Sequence, residues 1–232
     1  MPSPLRVVIF DLDGTLVDHA TAVTAALHRW LPTLGHIASD ELIVAWLAAE
    51  ERHFPAWRAR RISFAEQRRR RLRDFLPLLD ISPGNDQWLD DVFAGYLRWY
   101  EASWTKFDDV DDAIEALTEA GLRTAVLSNG TVDQQNAKIA AVGLSGRVGP
   151  VFTAEALGAA KPNSASYLMV CDELGVRPSQ ALHVGDLYDL DVLAPRAAGL
   201  RALHLDRADR GPHDESQRIT SLRQLGQHLA TA

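Results

Sequence analysis

Short runs of apolar and β-branched residues recur along the sequence, and they constrain the fold more than any other feature. The first run, Val7 to Phe10, is four residues long and ends directly at Asp11. A run of this length without a polar interruption is typical of a central strand that is buried on both faces. Similar runs occur at 124–127, 151–153, 181–184 and 202–205. The sequence therefore predicts a sheet of several buried strands.

Helical patterns separate these strands. One extends from Val110 to Ala120 and is followed by Gly121, and another extends from Ser164 to Leu174 and is followed by Gly175. Glycine is common directly after a helix because it readily adopts the left-handed conformation that ends the last turn. Strands that alternate with helices predict a parallel sheet. We expect an α/β fold with a Rossmann-like, doubly wound parallel sheet as its core.

The block from 19 to 103 interrupts this alternation. It shows helical periodicity with many Ala, Leu, Arg and Trp residues, and it contains no convincing strand. The stretch 81–85 is typical of a turn between two helices, and a last helix from about Gln87 to Ser103 returns the chain to the sheet. We therefore expect a core domain of residues 1–18 and 104–232, and a helical domain of residues 19–103 inserted into it.

The composition excludes some classes of function. The chain has 232 residues, of which 47% are hydrophobic, so it can bury one large core or a core with a smaller insertion. Its 24 basic residues are outnumbered by 31 acidic residues, which leaves a formal charge of -7. A general nucleic-acid binder has a strongly positive surface, so nucleic acid is not an expected partner.

No targeting or membrane segment is expected. The first residues, Met1 to Arg6, lead directly into a short apolar strand, without the longer apolar stretch and cleavage site of a signal peptide. No segment approaches the roughly 18 continuous apolar residues that a membrane span requires. We therefore expect a soluble, cytoplasmic protein without a membrane partner. The single cysteine, Cys171, falls in an apolar helical pattern and is expected to be a buried structural thiol.

Two aspartates follow the first predicted strand, in the segment Phe10-Asp11-Leu12-Asp13-Gly14-Thr15-Leu16. Phosphoryl transfer needs a nucleophile, a cation that offsets the charge on the phosphoryl oxygens, and a proton donor for the leaving oxygen. Of the two carboxylates, one can attack while the other moves protons. Gly14 lets the backbone turn sharply, and Thr15 can donate its hydroxyl to a neighbouring carboxylate. An Asp-x-Asp pair alone is a weak signal, because many surface turns contain one.

Groups that suit a phosphate follow the later strands. The second strand ends in Ser128-Asn129-Gly130, which offers a hydroxyl and successive backbone N–H groups at a strand-to-helix turn. Lys161 comes after a loop that begins near Glu155, and it would supply a fixed positive charge. Taken singly, each feature is also typical of an ordinary turn. Their joint occurrence with the aspartates is what predicts a phosphoryl-binding site.

Three more acids, Asp186, Asp189 and Asp191, follow the fourth strand. Several carboxylates in one crevice repel each other unless a cation joins them, and a hard divalent metal, Mg²⁺, suits oxygen ligands. Ligands of open parallel sheets bind beyond the carboxyl ends of the strands. All of these groups fall there, so the sequence predicts one site at that edge of the sheet.

On these motifs and their order, the chain resembles the haloacid dehalogenase superfamily of hydrolases, in its phosphatase form with a helical C1 cap inserted after the first motif. The resemblance covers nearly the whole chain. It implies that Asp11 is the nucleophile that forms an aspartyl-phosphate, and that Asp13 protonates the leaving group and then activates water. It also implies Mg²⁺ as cofactor and a small phosphorylated substrate.

The resemblance assigns roles to the remaining motif residues. Ser128 and Lys161 would bind the phosphoryl oxygens, and the backbone N–H groups of the turn add Asn129 and Gly130 as candidates for the same role. Asp186 would bind the metal together with Asp11 and the main-chain carbonyl of Asp13. Asp191 would support the metal, and the sequence itself suggests Thr15 and Asp189 as further supporting residues. The last motif departs from many relatives, because Leu187 and Leu190 stand where a serine or threonine and an asparagine are usual; Asp189 is available to compensate.

Other activities of the superfamily are less well matched. Dehalogenases lack the second aspartate and need no metal, so Asp13 favours a phosphatase. Sugar phosphomutases share both aspartates, but their histidine-containing cap signature is not found in 17–22, where His19 is only a partial match. A non-catalytic binding protein on the same fold is a third alternative, and loss of the nucleophile or the lysine would indicate it. We expect a phosphatase that is a monomer or homodimer.

The inserted block contains one strongly basic segment. Residues 58–73 include eight arginines, and Glu66 is their only acid. The simpler interpretation is a solvated helix face that acidic neighbours partly offset; the alternative is that some arginines steer or hold an anionic substrate. The tryptophans at 46, 57, 88 and 99 are expected to belong to the core of the helical domain.

Overall fold

Six strands form one sheet in the computed structural model, which describes residues 4–229. They are β1 Val7–Phe10, β2 Arg123–Ser128, β3 Val151–Thr153, β4 Ala181–Gly185, β5 Arg201–Leu205 and β6 Arg218–Ile219. The strand order is β3-β2-β1-β4-β5-β6, and every neighbouring pair is parallel. The predicted Rossmann-like α/β fold is confirmed.

Helices connect these strands and form the inserted block. They are α1 His19–Trp30, α2 Asp40–Arg58, α3 Phe64–Phe75, α4 Asp86–Glu101, α5 Val110–Glu119, α6 Val132–Ala141, α7 Ala154–Leu157, α8 Ser164–Glu173, α9 Ala194–Ala197 and α10 Leu225–Leu229. A π-helical turn, Tyr188–Leu193, follows β4. Within the part of the chain that the structure describes, no helix has the length and apolarity needed to cross a membrane.

The strand order reverses at β1. Strands β2 and β3 lie on one side of it, and β4, β5 and β6 lie on the other. Phe10, the last residue of β1, pairs with Val126 on one side and Val184 on the other, so Asp11 emerges at the reversal. The crevice beyond the carboxyl ends of the strands at such a point is where doubly wound folds bind ligands.

A hydrophobic core joins the sheet to α8. Val7 and Ile9 of β1 belong to the same buried cluster as Tyr167 and Cys171 of α8. Cys171 is free and buried, and burial raises the pKa of its thiol to about 11. A thiol with so high a pKa is rarely the reactive thiolate near neutral pH, which agrees with the predicted structural role.

The described chain divides into two compact units. One is His19–Trp104, and the other comprises the chain on either side of that segment. Ser39, Ser63 and Asn85 begin α2, α3 and α4, and each accepts a hydrogen bond from a backbone N–H in the first turn. These caps satisfy donors that a helix start leaves without partners. That this helical unit acts as a cap over the site stays a prediction.

Aromatic side chains form the interior of the helical unit. Trp46 is fully buried, and its ring lies 4.5 Å from Tyr96, 5.0 Å from Phe75 and 5.4 Å from Trp30 between centroids. The prediction that the tryptophans belong to this core is right for Trp46. It is wrong for Trp88, which is 38% exposed. Trp88 instead lies beside Gly84, where an added Cβ would contact the indole.

Candidate active site

The turn after β1 places Asp11 and Asp13 in different surroundings. Asp11 is buried, and its backbone N–H donates to the Val184 carbonyl at 2.9 Å, which ties the turn to β4. The Asp13 side chain is 29% exposed. Gly14 has φ of +84°, and a Cβ there would overlap the Asp186 carboxylate. Glycine is therefore required both for the turn and for the close approach of Asp186.

Lys161 joins two carboxylates at the centre of the site. Its ammonium donates to Asp11 Oδ1 and to Asp191 Oδ1, both at 2.6 Å, and the residue is 2% exposed. Asn129 fixes the lysine backbone: its Nδ2 donates to the Lys161 carbonyl at 2.9 Å, and its Oδ1 accepts from the Lys161 N–H at 2.8 Å. The Asn129 side chain thus positions Lys161, while its predicted contact with phosphoryl oxygens stays a prediction.

Ser128 and Gly130 lie at the carboxyl end of β2. Ser128 is buried, and its Oγ accepts a hydrogen bond from Gln135 Nε2 at 3.0 Å. A Cβ at Gly130 would overlap the Gln135 amide, so only glycine leaves room for this side chain. Ser128 therefore sits where the sequence predicts it, at the sheet edge that also carries Asp11.

Three carboxylates meet beside the lysine. Asp11, Asp186 and Asp191 each offer an oxygen, and these oxygens all lie within 4.8 Å of one another. Asp191 is fully buried and well satisfied: besides Lys161, His183 Nε2 lies 2.9 Å from its Oδ1 and the Leu187 N–H donates to its Oδ2 at 3.0 Å. Asp186 Oδ1, in contrast, is buried without a hydrogen-bond partner among the described residues.

Burial and mutual repulsion set the charges of this cluster. Burial raises the pKa of Asp11 to about 7, although the Lys161 ammonium opposes the rise. Burial also raises the pKa of Asp186 well above its usual range, and the charges of Asp11 and Asp191 add to the effect. Burial alone would raise the pKa of Asp191. The Lys161 ammonium and the hydrogen bond with His183 outweigh burial and hold this pKa below its usual range.

The donor set fits a hard divalent cation. The unpartnered oxygen of Asp186 and the raised pKa values of Asp11 and Asp186 indicate negative charge that the protein itself does not balance. Carboxylate oxygens are the ligands that Mg²⁺ prefers, and a bound cation would restore the ionised form of both groups. Asp11 and Asp186 could hold such an ion, with Asp191 beside them. A contribution from the Asp13 carbonyl stays a prediction.

Two predicted supporting residues do not behave as expected. Thr15 is fully buried, but its hydroxyl has no hydrogen-bond partner in the described chain, so the expected bond to a carboxylate is not formed. Asp189 is exposed and does not belong to the carboxylate cluster. The reason is the π-helical turn, which returns Asp191 to the site and directs Asp189 to solvent. Asp189 therefore does not compensate for Leu187 and Leu190.

Sequence reasoning missed three side chains that contact predicted site residues. Lys138 and Gln135 of α6 both reach Asp13: Lys138 Nζ donates to Asp13 Oδ1 at 2.5 Å, and Gln135 Nε2 donates to Oδ2 at 3.4 Å. His183 of β4 contacts Asp191. For His183, the only signal in the sequence is a lone histidine in an apolar strand. For Gln135 and Lys138, it is that two polar residues three positions apart lie on the same face of a helix. Neither is specific enough to identify a site.

Four of the five arginines on α3 form ion pairs within the helical unit. On α3, Arg69 pairs with Asp90 and Asp86, Arg70 and Arg73 pair with Glu66, and Arg71 pairs with Glu50. Among the described residues, Arg68 has no such carboxylate partner. Its guanidinium lies 4.5 Å from the centre of the Phe64 ring and 5.0 Å from that of Phe93. Burial, with the charge of Arg71, lowers the pKa of Arg68.

The sheet, its reversal point and the cluster of aspartates with a buried lysine define an α/β enzyme of the Rossmann-like class. Residues 5–199 match the family of haloacid dehalogenase-like hydrolases. The chain therefore belongs to that family, as the sequence motifs predicted.

Three of the related proteins are named as phosphatases. A ribulose-1,5-bisphosphate 5-phosphatase of Halopiger xanaduensis is 28% identical, over 97% of this chain and 95% of its own. A phosphoglycolate phosphatase of Shigella boydii is 29% identical over 87% and 81%. A phosphoserine phosphatase of Thermus thermophilus is 26% identical over 87% and 78%.

Solved structures share the fold. The HAD-hydrolase YfnB of Bacillus subtilis bound to magnesium superposes with a TM-score of 0.84 at 19% identity, over 98% of this chain and 99% of its own. A 2-haloacid dehalogenase of Pseudomonas syringae gives a TM-score of 0.67 at 28% identity, over 98% and 99%. The fold is thus common to proteins named for different reactions, and the site residues must decide between them.

Proposed function

We propose that this protein is a Mg²⁺-dependent phosphatase that hydrolyses a small phosphorylated metabolite through an aspartyl-phosphate on Asp11. The main support is the different environment of the two aspartates after β1: Asp11 is buried against Lys161, whereas Asp13 is partly exposed and paired with Lys138. Two neighbouring carboxylates with such different surroundings suit separate roles as nucleophile and acid/base. The related phosphatases support the same reaction class.

In the first proposed step, an Asp11 oxygen attacks phosphorus as the ester P–O bond breaks, and Asp13 gives its proton to the leaving oxygen. In the second, Asp13 takes a proton from a water molecule as the water oxygen attacks the phosphorus and the bond between Asp11 and phosphorus breaks; inorganic phosphate leaves, and the Asp11 carboxylate is regenerated. Lys161 holds Asp11 between the steps. Mg²⁺, when bound by Asp11 and Asp186, supplies positive charge to the phosphoryl oxygens.

The activity test is release of phosphate from a panel of phosphorylated metabolites and from para-nitrophenyl phosphate, with Mg²⁺ and with a chelator. We expect turnover that requires Mg²⁺. Asp11→Asn should reduce kcat by at least about 1,000-fold without unfolding the protein, because it removes the nucleophile and preserves the side chain's shape. Turnover retained in Asp11→Asn would contradict the covalent mechanism.

The same assay separates the alternatives. A dehalogenase would release chloride from 2-chloropropionate without metal, and a phosphomutase would isomerise a sugar phosphate without net release of phosphate. The mutase has little support from His19, because its Nδ1 lies 2.8 Å from the Tyr100 hydroxyl and its Nε2 lies 3.4 Å from Glu50. A binding protein would show none of these activities. Monomeric or dimeric assembly and a cytoplasmic location stay predictions.

We further propose that the substrate carries a second anionic group, and that Arg68 is the arginine of the helical unit best suited to attract it. A partly buried guanidinium without a carboxylate partner gains much from an anion, because charged hydrogen bonds contribute about 1.5–3 kcal/mol. The substrates named for the three phosphatase relatives all have a second acidic group beside the phosphate ester that is hydrolysed. This supports the interpretation that some arginines of the helical unit hold an anionic substrate.

Arg68→Met tests this substrate class. It should raise KM at least about tenfold for phosphoglycolate or phosphoserine, which corresponds to about 1.4 kcal/mol, and leave KM for para-nitrophenyl phosphate unchanged. Arg70→Met is the matched control, since Arg70 is exposed and already paired with Glu66. An equal rise in KM for both kinds of substrate, or none for either, would count against Arg68.

A further inference from the structure

We infer that Lys138 is a positioning residue that orients the Asp13 carboxylate for proton transfer to the leaving group; the inference rests on the proposed phosphatase activity. Lys138 is 2% exposed, and its ammonium contacts Asp13 Oδ1 at 2.5 Å. A buried ammonium is costly unless it is paired and hydrogen bonded. The fold brings Lys138 into contact with Asp13, although the two residues are 125 positions apart in the sequence.

Gln135 supports the same carboxylate from a second direction. Its Nε2 donates to Ser128 Oγ at 3.0 Å and more weakly to Asp13 Oδ2 at 3.4 Å. Gln135 and Lys138 are three residues apart, so both side chains leave the same face of α6. This face of α6 therefore contacts both Asp13, the proposed acid/base on the turn after β1, and Ser128, the proposed phosphoryl-binding residue at the end of β2.

The two contacts differ in strength, and the difference bears on proton transfer. The short ion pair holds Oδ1, whereas the hydrogen bond from Gln135 to Oδ2 is long and easily exchanged. Asp13 can therefore be held by one oxygen and present the other to the leaving group. General acid catalysis depends on such placement, because the donor must lie within hydrogen-bond reach of the reacting oxygen. Lys138 itself need not exchange a proton or contact the substrate.

A series of leaving groups tests this role directly. A good leaving group departs from phosphorus without help from an acid, whereas a poor one needs the proton. Lys138→Met removes the ammonium and preserves much of the buried stem. We expect kcat/KM for an alkyl phosphate to fall about 100-fold, within the usual range of a general-acid effect, and kcat/KM for para-nitrophenyl phosphate to fall less than about fivefold. Lys138→Arg should restore most of the loss.

Asn136→Met is the matched control, because Asn136 is exposed on the same helix; it should change neither value. Thermal unfolding of each variant detects loss of structure. A double-mutant cycle adds a second criterion: in an Asp13→Asn background, Lys138→Met should cause little further loss with the alkyl phosphate, since its effect acts through Asp13.

The outcomes separate the inference from the proposed function. Equal losses with both substrates in a folded Lys138→Met protein would overturn the positioning role, and so would full activity with the alkyl phosphate. Additive losses in the double-mutant cycle would overturn it as well. If the wild-type protein releases no phosphate from either substrate in the presence of Mg²⁺, the proposed phosphatase function is wrong instead.

Discussion

The balance of charge around Lys161 explains why the site suits a divalent metal. Three clustered carboxylates and one ammonium leave a net charge of -2 when all are ionised. His183 does not offset this charge at neutral pH, because burial lowers the pKa of its imidazole. Asp11 and Asp191 share the Lys161 ammonium, and His183 also contacts Asp191, so most of the unbalanced charge falls on Asp11 and Asp186. A doubly charged cation would match it.

Asp206 shows the opposite behaviour, since its surroundings stabilise the ionised form. Burial acts to raise its pKa, but the N–H groups of Arg210 and Gly211 and the Arg218 guanidinium outweigh this and lower the pKa to about 2. Gly211 donates at 2.6 Å, and Arg218 Nη2 at 2.9 Å. This one carboxylate thus holds the loop between β5 and β6.

Asp206→Asn should therefore destabilise the protein in a pH-dependent way. The folded pKa lies below the unfolded value of about 3.9, so the carboxylate contributes stability above about pH 4, and this contribution is lost as the pH falls towards 2. We expect a loss of about 2 kcal/mol at pH 7 and a smaller loss at pH 3, measured by urea unfolding. Exposed Asp214→Asn should have little effect at either pH. An equal effect of Asp206→Asn at both pH values would contradict this assignment.

At the scale of elements, the sequence predicts those parts of the fold that have a continuous pattern. The apolar runs of β1, β2, β4 and β5 are identifiable because the central residues of a strand covered on both faces are buried and apolar. Strand β6, Arg218–Ile219, was missed because two residues carry no periodicity. The same limit applies to Lys138: a polar residue every third position of α6 is typical of any exposed helix, and only the fold brings it to Asp13.

The sequence also does not predict the π-helical turn. This turn shows how the last motif works with Leu187 and Leu190 in place of the usual polar residues. Leu187 is half exposed, but its backbone N–H donates to Asp191, so its side chain is not needed for that link. Leu190 is buried, and the Tyr167 hydroxyl donates to its carbonyl. Spacing in the sequence could show that Asp186 and Asp191 share a loop, but it could not show which of Asp189 and Asp191 turns inward.

At the scale of the whole molecule, a metal bound by the cluster would connect distant parts of the chain. Asp11 follows β1, and Asp186 follows β4, so an ion held by both ties together the two central strands and the turns beyond them. Unfolding separates these residues and destroys the site. Any ligand that binds only the folded state stabilises it in proportion to the logarithm of its concentration.

Mg²⁺ should therefore raise the melting temperature of the wild-type protein. At a concentration about 100 times the dissociation constant, the stabilisation is about 2.7 kcal/mol, which corresponds to a shift of roughly 5–10 °C for a chain of this size. Asp186→Asn should abolish most of the shift, and without metal this variant should melt above the wild type, because it removes a buried carboxylate that the charges of Asp11 and Asp191 destabilise. Asp189→Asn changes an exposed acid in the same turn. Mg²⁺ should raise the melting temperature of this variant as much as that of the wild type. The melting temperatures are measured by differential scanning calorimetry. An equal rise with Mg²⁺ in Asp186→Asn and wild type would show that the ion binds elsewhere. Loss of the rise in Asp189→Asn would mean that this acid turns inward when the metal binds.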